Sequence, residues 1–584
     1  MIRSYRRSWA LALIITFLVS IIAVAGCGTK QVPPQPTDSQ KAVKRDDIGK
    51  NGMVTSAHPL ATQAGLEVLK KGGNAFDAAV AVAFMLAVVE PNATGITGGG
   101  WAIIYDAKTK KSEVCDYRGV GSNKLRKDFY KKDEKGKVIG DAMKTGYTSA
   151  SVPGQLRGME EINRKYGTVK WADLVMPAAK QAREGVTVSK TLYGVIEDTY
   201  SRMERFPSLK TFWEKTYLKD GLPRPVGEVV KNPELGDSLE KIAKGGADVF
   251  YKGEIADAIE KEFAKPADPA VKGWVDKQQL AEYKVIWREP AKGSYRGYDL
   301  YACSPPAGGT SVINILNILE NYDLKKMGFG SADHWHHFIE AAKLAFATQD
   351  KYLGDPGFIK IPVAGITSKE YAKEQVKQLD PKKAMDKKYG AGDAAKYEHG
   401  STTSFSVIDK DGNMICATQT VNAFFGSGVV PEGTGIIWDD LNDSYSSNPQ
   451  SPNAPEPGKR TFSSIAGTLV VKDGKPVLAI GSPGGARIIT AVSEIISNVI
   501  DFGMNVQEAI EAPRVFNRGT GAATDIEARI PAAIRAELEK RGHKLAVKGE
   551  MDMHFGGAQG IALKGNGELH GGADPRRDGV ARGY

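Results

Sequence analysis

The sequence predicts an α+β protein in which β-sheets are covered on their outer faces by helices. Three observations predict it. Thr403–Ile408 and Asn413–Thr420 alternate like strands on either side of Asp409-Lys410-Asp411-Gly412, whose Asp-Gly pair is a hairpin-turn signal. Thr468–Val471 and Val477–Ile480 repeat that pattern around Lys472-Asp473-Gly474, and Ile488–Ile500 follows with helical spacing. Asp77–Glu90 is Ala/Val-rich and apolar nearly all round, the composition of a helix buried against a sheet. Paired strands alternating with such helices bury both element types in shared layers.

The start of the chain is a separate unit. Arg3, Arg6 and Arg7 precede an almost unbroken apolar run, Trp9–Ala25, and Val24-Ala25-Gly26-Cys27 ends it with small residues before a cysteine. A basic head, an apolar stretch and a small-residue end form an export signal. The ending resembles a bacterial lipobox, which implies cleavage after residue 26 and lipid on Cys27; an uncleaved anchor helix is the alternative. Both readings place the body outside the cytoplasm, held to a membrane. Residues 27–50 are polar and contain prolines, as a flexible tether does. The body then begins at residue 51, with a first strand at Met53–Ala57.

Further elements follow in order. Thr62–Lys71 has helical spacing and stops at Gly72-Gly73; Gly98-Gly99-Gly100 leads into a strand, Trp101–Tyr105. That glycine run lacks the rest of a phosphate loop, so close backbone packing explains it better. Residues 150–300 read as mostly helical. Ser331–Tyr352 is a long helix carrying His334, His336 and His337; no third ligand has matching spacing, so they read as polar surface and no metal is expected. Cys115, Cys303 and Cys416 sit in apolar, strand-like settings and are expected as buried free thiols. The net charge is +9, and +6 without the first 26 residues. With acids interspersed, this is a solvated surface rather than a nucleic-acid footprint.

The chemistry concentrates at Glu398-His399-Gly400-Ser401-Thr402-Thr403-Ser404, where glycine-containing polar sequence meets a regular strand. Alone, two threonines at a strand start mean β-propensity. In the company of SAHPLATQAGLEVLKKGGNAFDAAVAV, DYRGVG, SVPGQLRGMEEINRKYGTV, YLGDP, STTSFSVIDKDGN, RTFSS and GSPGGARIIT, in that order from about residue 52, the chain resembles the γ-glutamyltransferases, which are N-terminal-nucleophile hydrolases.

That resemblance implies self-cleavage between Ser401 and Thr402. It implies a large subunit, 51–401, and a small one, 402–584, of 584 − 401 = 183 residues, joined in a four-layer αββα sandwich. A hydroxyl is a weak nucleophile without a neighbouring base. Scission would give Thr402 an α-amine of pKa about 7.7–8.0, a base on the same residue. By the same resemblance Thr420 orients Thr402, and Gly484 and Gly485 form the oxyanion hole. Arg118, Ser463 and Ser464 hold the glutamyl α-carboxylate, and Asn422 lies near the α-amine. No cofactor is implied.

The match breaks between Gly426 and Tyr445. Where the family commonly places Gln or Glu and then Asp for the substrate's α-ammonium, this chain has Leu441 and Ser444; Asp443, Asp439 or Asp440 are the available replacements. Loss of that counter-charge suits a polymer-cutting enzyme. The lipobox, the short Tyr445–Lys459 segment and the ending HFGGAQG…RRDG are similar to the poly-γ-glutamate depolymerase branch. The expected substrates are thus small γ-glutamyl amides such as glutathione, or alternatively poly-γ-glutamate. A non-catalytic surface-binding lipoprotein is a third reading.

Overall fold

The hairpin predicted around Asp409 forms the centre of a seven-stranded sheet. In the computed structural model, which describes residues 43–203, 206–385, 401–519 and 521–584, Ser401–Asp409 pairs antiparallel with Met414–Asn422. The sheet order is Val580–Gly583, Gly52–Ser56, Ser401–Asp409, Met414–Asn422, Gly99–Asp106, Lys111–Asp116 and Ile286–Arg288. A second seven-stranded sheet runs Asp47–Gly49, Leu569–Ala573, Gln559–Leu563, Lys475–Gly481, Thr468–Lys472, Tyr298–Ala302 and Ala291–Tyr295. Neighbours in both sheets are antiparallel.

Strand alternation divides the first sheet between two cores. Phe405, Val407, Ile415 and Ala417 pack with the helix Ala75–Val89. Ile408, Met414 and Cys416 join the second sheet and the helices Gly309–Leu319, Ala332–Tyr352 and Arg487–Ile500. Ala75–Val89 is buried along its whole length, and a reciprocal cap between Asn74 and Asp77 starts it. The sheets also meet through hydrogen bonds, since Ser406 Oγ donates to the Gln559 carbonyl at 3.2 Å.

Three expectations need correction. Asp47–Gly49, counted as tether, is an edge strand paired with Leu569–Gly571. Its backbone ladder fixes it, and so short a polar segment shows no alternation from which to read a strand. The end of the nominally helical 150–300 segment is sheet, at Ile286–Arg288, Ala291–Tyr295 and Tyr298–Ala302. His334, His336 and His337 are buried rather than surface residues. The free, buried state of Cys115, Cys303 and Cys416 is as expected. The apolar run at 9–25, Cys27 and Glu398–Gly400 lie outside the described residues.

Candidate active site

Thr402 sits where the hairpin ladder breaks. Ser401 pairs with Asn422 and Thr403 with Gln419, so Thr420 and Val421 together oppose Thr402 in a bulge. The buried Thr402 Oγ1 donates to Thr420 Oγ1 at 3.2 Å. The same Thr420 oxygen accepts the Asn422 backbone N–H at 2.8 Å. Thr420 therefore ties the Thr402 side chain to the far end of the partner strand.

Two distant residues brace this end of the strand. Arg577 Nη1 donates to the Thr402 carbonyl at 2.6 Å. Thr403 Oγ1 donates to Glu90 Oε2 at 2.6 Å. Burial pushes the Glu90 carboxyl up, while the nearby Arg577 guanidinium pulls it back. Burial likewise lowers Arg577, with Glu90 opposing.

From Asn422 a line of hydrogen bonds leads to Arg118. Asn422 has φ 80°, in the left-handed region, which an asparagine side chain tolerates better than most. Its Oδ1 accepts from Ser444 Oγ at 2.9 Å, and Ser444 Oγ accepts from Arg118 Nη2 at 2.9 Å. Arg118 Nε donates to Thr461 Oγ1 at 2.8 Å. The guanidinium is buried, yet its Nη1 has no hydrogen-bond partner. Burial lowers it to about 10, with Asp439 and Asp116 the main opposing charges, so it stays cationic at neutral pH. A buried cationic donor without a partner is ready for an anion.

Ser463 and Ser464 follow Thr461 on one loop. The Ser463 N–H donates to the Pro306 carbonyl at 2.9 Å, and its Oγ accepts the Ile465 N–H at 3.3 Å. Gly484 and Gly485, at φ 133° and 59°, lead into Arg487–Ile500. Both angles suit glycine, and the first N–H groups of the helix turn back to this segment, with Arg487 N–H donating to the Gly484 carbonyl at 3.2 Å and Ile488 N–H to that of Gly485 at 3.1 Å. Gly481, just before them, lies against the strand Ser401–Asp409, since a Cβ there would fall 2.5 Å from Ser404 Oγ.

Three acids stand beside this line. Asp439 accepts the Ser151 and Leu441 N–H groups at 3.2 and 2.9 Å, and Asp440 the Ala423 N–H at 2.8 Å. Burial raises Asp439 to about 7 and Asp440 to about 6, the latter against the pull of Arg202. Half-buried Asp443 is raised to about 8 by burial and then by Asp440, with Lys144 and Arg202 opposing. Leu441 is fully buried against Gly99 and Gly119.

A second polar cluster lies elsewhere. His336, Glu340 and His543 place ligand atoms within 4.8 Å of one another. The Asp380 carbonyl accepts from His336 Nε2 at 2.8 Å, so that nitrogen carries the proton and Nδ1 accepts from His543 Nε2 at 2.8 Å. Lys343 already donates to Glu340 at 2.7 Å. His336 and Glu340 are thus engaged, while the buried His543 Nδ1 has no hydrogen-bond partner.

Comparison with known proteins settles the family. The family model described as gamma-glutamyltranspeptidase matches residues 61–584. The chain belongs to the γ-glutamyltranspeptidase family. It is similar to the glutathione hydrolase proenzyme of Escherichia coli K12, 39% identical with 98% of each chain covered. It is also similar to the acylase ACY 1 proenzyme of Pseudomonas sp. SE83, at 36% identity with 92% of this chain and 94% of the relative covered. The crystal structure of cephalosporin acylase from Bacillus halodurans superposes with a TM-score of 0.84 at 32% identity, covering 96% of this chain and 99% of that one.

As a member of the γ-glutamyltranspeptidase family the chain is a γ-glutamyl hydrolase and transferase, with a fold of that family that mixes helices and sheets. Of the residues singled out in the sequence, one hydrogen-bonded line gathers Thr402, Thr420, Asn422, Ser444 and Arg118. Sequence reasoning missed Arg577, Glu90 and Thr461. Arg577 lies in the quoted RRDG ending and Thr461 in RTFSS, but nothing local marks their partners. Glu90 reads only as the end of an apolar helix.

Proposed function

We propose that the precursor cleaves itself between Ser401 and Thr402, and that Thr402 then forms an acyl-enzyme with γ-glutamyl amides such as glutathione. The freed α-amine takes the hydroxyl proton and passes it to the amide nitrogen, which departs as the amine when the C–N bond breaks, and Thr420 fixes the hydroxyl's direction. Gly484 and Gly485 donate backbone N–H groups to the oxyanion; losing one such donor costs about 100–1,000-fold in rate. Arg118 binds the substrate carboxylate through its unpartnered Nη1, with Ser463 and Ser464 beside it. Water or an amine of an amino acid or peptide then accepts the acyl group. The two products of scission remain together as a four-layer αββα sandwich, held outside the cytoplasm by lipid on Cys27.

The observation that carries this reading is the buried Thr402–Thr420 contact at a bulge, with the Thr402 carbonyl clamped by Arg577. Denaturing electrophoresis and mass spectrometry test it. Two fragments are expected, the smaller beginning at Thr402, and an uncut active chain would refute the mechanism. Cys27→Ser should release the protein from the membrane fraction; an unchanged distribution would sink the anchor. A second reading, cleavage or transfer of poly-γ-glutamate, rests on the short Tyr445–Lys459 segment, whose residues Asn448–Gln450 are exposed.

A further inference from the structure

We infer that Arg45, in the stretch the sequence reads as a tether, is a positioning residue for Thr402 and acts on it through Arg577. The inference rests on the proposed role of Thr402 as the nucleophile, and it names a distant part of the chain on which that role depends.

Arg45 opens the compact unit that ends at Tyr584, and its side chain is half-buried. Its Nη1 donates to the Arg577 carbonyl at 2.9 Å and to the Gly579 carbonyl at 2.8 Å. One guanidinium nitrogen thus bridges two carbonyls of a single turn, and its charge strengthens both bonds. The Arg45 carbonyl in turn accepts the Ala581 N–H at 2.8 Å. Two residues on, Asp47 Oδ2 accepts the Gly583 N–H at 3.0 Å. The Tyr584 carbonyl accepts the Lys50 and Asn51 N–H groups at 2.8 and 2.7 Å. Residues 45–51 therefore lace along 577–584, and Arg45 is the point at which that lacing grips the turn.

The turn carries the clamp on the reactive strand, because Arg577 Nη1 donates to the Thr402 carbonyl at 2.6 Å. To reach it the Arg577 side chain crosses Gly557, where a Cβ would fall 2.6 Å from Arg577 Cδ, so its path is narrow. The start of that path is set by the backbone at 577–579. Gly579 lies close against the sheet, since a Cβ there would meet Gln559 Nε2 at 2.5 Å and the Ser56 carbonyl oxygen at 2.9 Å. Thr191 Oγ1 donates to Asp578 Oδ1 at 3.0 Å, and the Arg577 N–H to the Asp574 carbonyl at 3.3 Å. Arg45 adds the hold on the two carbonyls that flank Asp578. Removing that hold frees the peptide planes on either side of Asp578 to turn, and the base of the Arg577 side chain moves with them. The far end of the same side chain fixes the backbone of the residue whose hydroxyl reacts. Shifting a reacting group by about 1 Å from far away costs up to about 100-fold in rate.

The test uses the full-length protein with two substitutions in the same lacing. Arg45→Met keeps the apolar stem and removes the donors. Asp47→Ala cuts the lacing at Gly583, beyond the turn. Denaturing electrophoresis follows processing, thermal melting reports stability, and γ-glutamyl p-nitroanilide gives KM and a kcat per processed chain. We expect Arg45→Met to slow processing and to lower kcat by about tenfold, well inside the range of such displacements. KM should stay within about twofold, since the carboxylate anchor is untouched. Asp47→Ala, whatever it costs in melting temperature, should keep kcat within about twofold. If Arg45→Met does not fold, Arg45→Lys is read in its place, with a kcat loss of at least about threefold because an ammonium lacks the planar fork. Unchanged kcat and processing in the variant that is read, or an equal kcat loss in Asp47→Ala, overturns the inference and leaves the nucleophile reading intact. Turnover of the anilide by unmodified protein left uncut before residue 402 overturns the nucleophile reading, and with it the inference.

Discussion

The two ends of one hairpin are built by opposite means. At the turn, Asp409 Oδ1 accepts the N–H groups of Asp411 and Asn413, both at 3.0 Å, and Oδ2 accepts from Asn413 Nδ2 at 2.8 Å. Gly412 takes φ 83°. Most of these partners lie within four residues of Asp409, with the Ala75 N–H the distant exception. At the other end Thr402 and Thr403 are held by Arg577 and Glu90, 175 and 313 residues away. The turn is self-sufficient, as an Asp-Gly turn should be. The Thr402 end is irregular, buried and held from outside, so its geometry is set by the whole fold. A reactive group needs positions fixed more tightly than a local turn provides.

Breaking the nucleophile end should have the largest effect. Thr402→Ala removes both the hydroxyl and its bond to Thr420, and leaves a single uncut chain without turnover above background. Thr420→Ala keeps the nucleophile but frees its rotation, so processing slows and kcat falls more than KM rises. Electrophoresis over time and anilide kinetics check both; normal processing in Thr402→Ala would remove the threonine from the mechanism.

How much of this was legible follows the same division. The hairpin and its turn are local patterns and read correctly from spacing. Arg118, Asn422 and Ser444 were named, but their connection was not. Ser444 looked like a missing acid and is in fact the hydroxyl that joins Asn422 to Arg118. Arg577 and Glu90 were missed because contacts across 175 and 313 residues, to Thr402 and Thr403, leave no trace in periodicity. The edge strand Asp47–Gly49 was missed because three residues cannot show alternation.

The next effect is in stability. Arg577→Ala strips the Thr402 carbonyl of its donor and leaves the Glu90 carboxyl buried without its cation. An acceptor left unsatisfied in the interior costs about 1–3 kcal/mol. Denaturant unfolding of the Thr402→Ala background isolates this from processing. Adding Glu90→Gln should return part of the loss, and strict additivity of the two changes would show that they do not interact. At the turn, Asp409→Ala deletes the acceptor for several N–H groups, most of them near solvent. It should cost about 1–3 kcal/mol and leave the processing rate within about twofold, since distant sites act independently.

Protons provide the finest contrast. Near the nucleophile end, Asp439 and Asp443 are raised to about 7 and about 8 by burial. Their folded-state pKa values exceed the unfolded ones, so the folded state binds more protons from about pH 4 up to those values, and stability falls as pH rises through that window. His336 and His543 are lowered to about 4 and about 3, chiefly by burial. There the unfolded state binds more protons, and stability falls as pH drops below about 6.5. The two groups oppose each other between about pH 4 and 6.5, so melting temperature should be nearly level there, decline from about pH 6.5 to 8 as the aspartates ionise, and decline below about pH 4 as the histidines take up protons. Asp443→Asn should flatten the alkaline decline alone, and His543→Gln the acidic one. If Asp443→Asn leaves the alkaline limb unchanged, Asp443 is ionised in the folded protein at neutral pH, and burial there is offset by its polar neighbours.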